Sequence, residues 1–433
     1  MKLAIHGGEP VRRKPFPKYV TVGEEEKVAV NRVIDSGVLS RYLGAWHEQF
    51  YGGPEVQALE EEWASHFNVK HAIAVNSGTS GLFCAVGAAG VEPGEEVIVS
   101  PYTMSATATA PIIYNAIPVF ADIEPDCFCL DVASIESKIT PLTRAIIVVD
   151  IFGLPYDADG INALAKKHGL TVIEDCAQAP GAKHGNRFAG TLADIGIYSL
   201  NYHKHIHCGE GGMIVTDNDE LAEKIRLIRN HAEAVVEAKG VTDLANMVGF
   251  NYRMTELEAS VARCQLQKLD GLLEKRLENC EYLESKLSQL PALTMPVVRD
   301  NCTHAYYVHA SKFDEQISGI SRNAFIDAVR AELPTFELRE KEGVKVSYGY
   351  VKPLYLQPMF QQRMAFGSKG FPFNSTEYQG EVSYEKGICP VTERMHEKEL
   401  VINEFIVPSM TKADIDDVWR AFEKVWDQRG QLI

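Results

Sequence analysis

A chain of 433 residues, 45% hydrophobic and 24% charged, is long enough to bury a large core, in two or three domains or in one large α/β domain with a smaller one appended. The formal net charge of −16 opposes nucleic-acid or anionic-membrane partners, whose phosphates would be repelled, but leaves room for a local basic cluster on a small anion. The nine cysteines include no Cys-x-x-Cys pair, the N-terminus lacks an apolar signal region, and no run reaches the length of a membrane span. Neither a disulfide framework nor a metal site is expected, and a soluble, reducing, cytoplasmic setting is.

From about residue 55 to 235, helical stretches alternate with short, nearly continuous apolar runs. The runs are His71–Val75, Glu96–Ser100, Ile117–Ala121, Ala145–Val149, Leu170–Glu174, Ile195–Ser199 and Gly212–Thr216. β-Branched runs of this length predict strands buried on both faces of a mostly parallel sheet. Cys127-Phe128-Cys129 alternates at strand spacing and reads as packing. The amphipathic stretch Ile161–His168, closed by Gly169, has the basic-then-glycine ending of a helix. Seven strands with interleaved helices predict a doubly wound α/β domain. A long helix over about Met254–Leu290 then connects to a smaller α+β domain with helices over Arg322–Leu333 and Lys412–Val425 and a loop over Tyr348–Gly370. The expected division is 1–270, a large domain with an N-terminal arm, and 271–433.

Three segments carry chemistry. Asn76-Ser77-Gly78-Thr79-Ser80-Gly81 follows a strand and opens a helix. Such a turn presents free N–H groups and a positive dipole end to a phosphate, although a plain N-cap has the same composition. Asp175 stands at the carboxyl end of a strand, the edge where open α/β sheets hold ligands. It either caps the next helix or faces a cation, and a protonated pyridine nitrogen would be one. The third segment, Ser199-Leu-Asn-Tyr-His-Lys204-His-Ile-His-Cys-Gly209-Glu-Gly-Gly212, places a lysine among Tyr202, His203, His205 and His207. A free lysine has a pKa of about 10.4, so one that acts as nucleophile or base must be desolvated or set beside cations.

The serine, four residues, lysine, four residues, Gly-Glu-Gly-Gly pattern of Ser199, Lys204 and Gly209–Gly212 resembles the Schiff-base segment of the DegT/StrS-type sugar aminotransferases, fold-type I pyridoxal-phosphate (PLP) enzymes. The resemblance runs over most of the chain from Pro54 onward and takes in Ser77–Thr79, Pro101–Thr107, Pro118–Asp122, the Asp175 segment and Gly249–Glu256. It implies that Lys204 bonds the cofactor and shuttles the proton, that Asp175 pairs with the pyridine nitrogen, and that Gln178 lies against the ring 3-hydroxyl. Gly78, Thr79, Ser80 and Ser199 would hold the phosphate, with Asn251 reaching it from the other subunit of a homodimer. Arg253 would bind the donor carboxylate or form a structural ion pair. The chain departs from the pattern at Met104, where the family has a ring stacked on the cofactor, and at Asp150, where it commonly has histidine. A thioether still packs on a π face.

Some members of that family carry histidine at the lysine position and dehydrate keto-deoxysugars; Lys204 implies transamination instead. Joint retention of Asp175, Ser199, Lys204 and Asn251 argues against a non-catalytic regulator on the same fold. Members mostly aminate nucleotide-linked 3- or 4-keto sugars or keto-cyclitols, with glutamate or glutamine as donor. The whole chain, including Gly7-Gly8-Glu9-Pro10 and an insertion over Arg41–Phe50, also resembles enzymes that make 8-amino-3,8-dideoxy-manno-octulosonate for lipopolysaccharide. A carboxylated keto-sugar needs basic partners, for which Arg41, His47, His205 and His207 are candidates; Tyr348, Tyr350 and Lys352 are further candidates to line the site.

Overall fold

The computed structural model describes residues 1–433. Helix α1 (Glu24–Asp35) and helix α2 (Pro54–Phe67) precede the seven strands. In chain order these are β1 (His71–Val75), β2 (Glu96–Val99), β3 (Ile117–Phe120), β4 (Thr143–Val149), β5 (Thr171–Asp175), β6 (Ile195–Ser199) and β7 (Gly212–Thr216). They form one seven-stranded sheet in the order β1-β7-β6-β5-β4-β2-β3. Only β7 runs against its neighbours, pairing antiparallel with β1 and β6. The other six therefore all end at one edge, and β7 begins there. Interleaved are α3 (Gly78–Ala88), α4 (Ala106–Ile113), α5 (Ala158–His168) and α6 (Asp219–Arg229).

Strand alternation sorts the side chains into two layers, as double winding requires. Ile73, Val75, Val97, Val99, Ile147, Ile173, Ile197 and Ile214 face α3, α4 and α6 in one core. On the other face Ala72, Ala74, Met213 and Val215 meet α2 and the long helix, while Ile98, Ile146, Val148 and Val172 meet α5. Complete burial of each such aliphatic side chain is worth about 1.5–3 kcal/mol, so the alternation fixes the register of every strand.

The long helix α7 spans Glu256–Leu287 and opens with a capping box between Thr255 and Glu258. A second, four-stranded antiparallel sheet contains β8 (Leu293–Thr294), β9 (His309–Phe313), β10 (Val346–Tyr348) and β11 (Leu400–Asn403), in the order β8-β9-β11-β10. It packs with α8 (Arg322–Glu332) and α9 (Lys412–Asp427). No helix is long and apolar enough to cross a membrane.

Three expectations need revision. The N-terminal arm packs with the small domain, where Leu3 and Phe16 join the core of Phe325, Phe405 and Phe422. Conversely, Leu354, Tyr355, Phe360, Phe373 and Tyr384 return from the C-terminal half to the large-domain core, where Tyr384 donates to the Pro118 carbonyl at 2.9 Å. These aromatics cover β3, the edge strand, which would otherwise expose an unpaired ladder. A cut at residue 270 falls within α7 and separates neither body cleanly. Cys127–Cys129 does serve packing, with Phe128 and Cys129 in the core, but from a turn and not a strand: Phe128 has a φ of 62°, its N–H on the Glu124 carbonyl at 3.1 Å.

Candidate active site

The strand ends bring the three chemical segments together. Ser77 caps α3, its hydroxyl accepting from the Ser80 N–H at 3.0 Å. The Gly78 and Thr79 N–H groups ahead of it lie in the first helical turn, where no intrahelical acceptor exists. The start of β7 and the end of β6 lie directly against this turn. A Cβ on Gly212 would stand 2.6 Å from the Ser77 carbonyl carbon, and one on Gly78 3.1 Å from the Ser199 Cβ. Glycine at both positions makes a shallow cradle of backbone amides beside the Ser199 hydroxyl, the arrangement an anion needs. Ser80 turns inward instead: its buried hydroxyl lies 2.6 Å from Asn76 Oδ1 and 2.8 Å from Ser77 Oγ. Its contribution is to shape the turn.

Asp175 is buried at the end of β5. Its Oδ2 accepts from the Thr107 hydroxyl at 2.9 Å and its Oδ1 from the Ala177 N–H at 3.2 Å. Burial lifts its pKa above the usual carboxylate range, while Thr107, Ala177 and the Lys204 cation work to keep it ionised. Asp150 is directed away from the site. Its Oδ1 accepts from the Tyr156 N–H at 2.9 Å, and burial together with neighbouring Glu174 pushes its pKa well up.

Lys204 sits in the loop between β6 and β7, which closes through Leu200 N–H to Gly211 O at 2.8 Å and Tyr202 N–H to Gly209 O at 3.0 Å. Burial brings its pKa down to about 8, opposed by Asp175. Its Nζ lies 4.5 Å from the centre of the Tyr307 ring. The amine is thus part neutral near physiological pH, and the one carboxylate facing it is Asp175. Gln178, buried, accepts from the Phe152 N–H at 2.8 Å, which leaves its amide NH₂ to donate. Met104, 57% exposed, stands in the turn before α4, where its carbonyl accepts from Thr107 N–H.

The proposed substrate residues fare unevenly. His205 is buried, with Nε2 2.9 Å from the Ala305 carbonyl, and burial drives its pKa far below the usual histidine range. It is a strut between domains, not a substrate contact. His207 faces Glu26 and the flank of α7, where its N–H meets Gln265 Oε1 at 3.4 Å. Alternate positions of an irregular loop point to different elements, so proximity in sequence to Lys204 did not place either ring in the site. Arg41 is exposed on the loop after α1, and His47 caps the short helical turn Glu48–Tyr51. Arg253 donates to Asn251 Oδ1 at 2.8 Å, and the adjoining Tyr252 carbonyl accepts from Asn76 N–H at 2.9 Å, so this segment runs beside the phosphate turn.

Four residues had no assigned role in the sequence. Thr107 holds Asp175, and Tyr307 covers Lys204. Arg339 donates to His203 Nδ1 at 2.9 Å while chelating Glu342. The fourth is Phe152, in the left-handed region at φ 60°, whose ring meets Tyr350 edge-on at 5.8 Å. Tyr350 itself comes near Asp175, as the Tyr348–Lys352 loop suggested. The aromatic run His304-Ala-Tyr306-Tyr307 was the available signal for Tyr307.

Pyridoxal phosphate fits these residues. The amide cradle with Ser199 would hold the phosphate, buried Asp175 would pair with the ring nitrogen, and the desolvated Lys204 amine would supply the group that bonds the cofactor. Comparison with known proteins agrees. The DegT/DnrJ/EryC1/StrS aminotransferase family matches residues 24–423. An L-glutamine:2-deoxy-scyllo-inosose aminotransferase of Streptoalloteichus tenebrarius is 30% identical over 444 residues, covering 99% of both chains. The aminotransferase structure from Psychrobacter cryohalolentis superposes with a TM-score of 0.77 at 28% identity, covering 96% of this chain and 99% of that one. DesI, solved in the presence of its TDP-sugar product, gives a TM-score of 0.78 at 25% identity over 99% of this chain and 97% of its own. This chain belongs to the DegT/DnrJ/EryC1/StrS family and is a PLP-dependent sugar aminotransferase.

Proposed function

We propose that this enzyme moves an amino group from glutamate or glutamine to the keto carbon of a carboxylated sugar, 8-keto-3,8-dideoxy-manno-octulosonate, in lipopolysaccharide synthesis. The observation that carries the transfer chemistry is the Lys204 amine, brought to a pKa of about 8 beside Asp175. PLP, when bound, supplies an aldehyde for amino groups and an electron-withdrawing ring. With that group bound, Lys204 Nζ would be the base that takes and returns the proton at the substrate carbon, the Asp175 carboxylate would pair with the ring nitrogen, and Gln178 would offer its free amide NH₂ to the ring. The Gly78–Thr79 amides, Ser199 and the Ser80-braced turn would hold the phosphate, and Met104 would be the side chain available to cover the ring. The donor leaves as its 2-oxo acid.

Arg339 donates to the ring of His203, next to Lys204, while paired with Glu342, so an acidic acceptor would compete with that carboxylate for the guanidinium. Arg41 would add to it, and Arg253 would hold the donor carboxylate with Asn251 at the phosphate turn of a partner subunit in a cytoplasmic homodimer. A second reading, amination of a nucleotide-linked 3- or 4-keto sugar, is favoured by the likeness to DesI with its TDP-sugar product. A glutamate-coupled assay across free 8-keto octulosonate and UDP-, dTDP- and GDP-4-ketohexoses separates the two. Turnover of the free acid alone is expected; turnover of a nucleotide sugar without the free acid overturns the octulosonate reading.

A further inference from the structure

Tyr307 belongs to a segment, residues 304–307, that leads into β9 and touches both domains. The Ala305 N–H donates to the Gly153 carbonyl at 2.8 Å, and its carbonyl takes the His205 ring at 2.9 Å. Gly153, at φ +112°, lets the segment approach; a Cβ there would stand 2.6 Å from the Tyr306 nitrogen and 3.0 Å from that of Tyr307. Buried Arg276 of α7 donates to the carbonyls of Tyr306 and Tyr307 at 3.2 and 3.4 Å. Tyr306 is held at φ 47°, its N–H on His304 Nδ1 at 2.8 Å and its ring stacked on His304 at 4.0 Å. This many restraints on four residues fix the place of one ring face, 4.5 Å from Lys204 Nζ.

We propose that Tyr307 is a positioning residue for Lys204: its ring face is the rest on which the amino group lies whenever it is not joined to the cofactor. The inference rests on the reading of Lys204 as the cofactor's lysine. Each transfer cycle must free that lysine, and a four-carbon stem released into a cleft loses its aim. A π face attracts an ammonium and keeps it within reach. Around the pair, Asp175 faces Lys204 from β5, His203 and His205 flank it, and Tyr350, Glu404, Arg276 and Arg339 face Tyr307. The strut also explains why His205, one residue from the lysine, is spent on a backbone carbonyl: that contact ties the lysine loop to the ring.

The test loads the full chain with pyridoxamine 5′-phosphate, which leaves Lys204 free, and measures trace acetylation of each lysine by acetic anhydride at pH 7 with peptide mass spectrometry. Tyr307→Phe keeps the ring face and is expected to match the wild type. Tyr307→Leu keeps apolar bulk without the π face, so the neutral amine fraction rises and Lys204 should react about three- to fivefold faster, the size of one cation–π contact. Lys70, at the far end of β1, serves as the internal reference. If Tyr307→Leu does not fold, Tyr307→Met takes its place with the same expectation. Unchanged Lys204 reactivity in the Leu or Met variant overturns the proposal, as does a Phe variant as reactive as Leu. Borohydride reduction of the PLP-loaded wild type keeps the two readings apart: label on another lysine would fail the Lys204 reading itself.

Discussion

Two regions of the molecule differ in how their polar groups are arranged. A cleft of about 1030 Å³ lies between the Trp46–Tyr51 loop, α2 and the start of β1, and reaches Lys70–Ala72 at the amino end of that strand. Several of its charges are already paired, Glu60 with Arg229 and both Lys70 and His71 with Asp219, while Arg226, Glu48 and Glu61 on its lining make no ion pair. At the opposite edge, strand ends converge on a buried carboxylate, a desolvated amine and an amide cradle, each aimed at a different part of one ligand. The hollow alone would draw attention to the first region; buried titratable groups with polar capacity to spare single out the second. The insertion over Arg41–Phe50, which supplied the candidates Arg41 and His47, lines the first region through Trp46, His47, Glu48 and Gln49.

The sharpest break of this contrast is Lys204→Ala, which removes the amine proposed both to attach the cofactor and to move the proton. Turnover should fall by about 10²–10⁴-fold or more, measured with saturating cofactor. Next is Gly212→Ala, whose added Cβ meets the Ser77 backbone at 2.6 Å and must displace the phosphate turn. PLP affinity should weaken about tenfold, read by fluorescence titration, the cost of roughly 1–2 kcal/mol of overpacking. A third expectation concerns the support under Tyr307. Burial lowers the His304 pKa to about 3, so below about pH 6.5 the unfolded chain binds a proton that the folded one refuses. Its share of stability is complete above pH 6.5 and is lost as pH falls towards 3, at about 1.4 kcal/mol per pH unit. Urea unfolding of wild type and His304→Asn between pH 7 and 4.5 should show the shallower slope in the variant. The smallest effect is expected in the first region, where Arg226→Gln and Lys70→Gln should leave turnover within about twofold. A large loss there would make the two regions functionally equivalent.

Much of the fold was legible because parallel strands buried on both faces leave unbroken β-branched runs, and all seven strands lie within a residue or two of those runs. Lys204, Asp175 and Ser199 were legible for a related reason: each stands at or just past a strand end, where local sequence decides position. Tyr307 and Arg339 were not, since only the docking of the small domain brings them to the lysine loop. His205 and His207 misled because an irregular loop has no period from which to read a facing direction. Tyr355 and Phe360 fall in the stretch expected to be loop, and Tyr384 had no expectation; their partner, the edge strand β3, is set by tertiary topology.

The most direct test of the site is borohydride reduction of the protein reconstituted with PLP, followed by peptide mapping. A single pyridoxyl label on Lys204, with loss of the yellow absorbance, is the expected result. A label on any other lysine, or a colourless protein that takes up none, would contradict the assignment of Lys204 and with it the site built around Asp175.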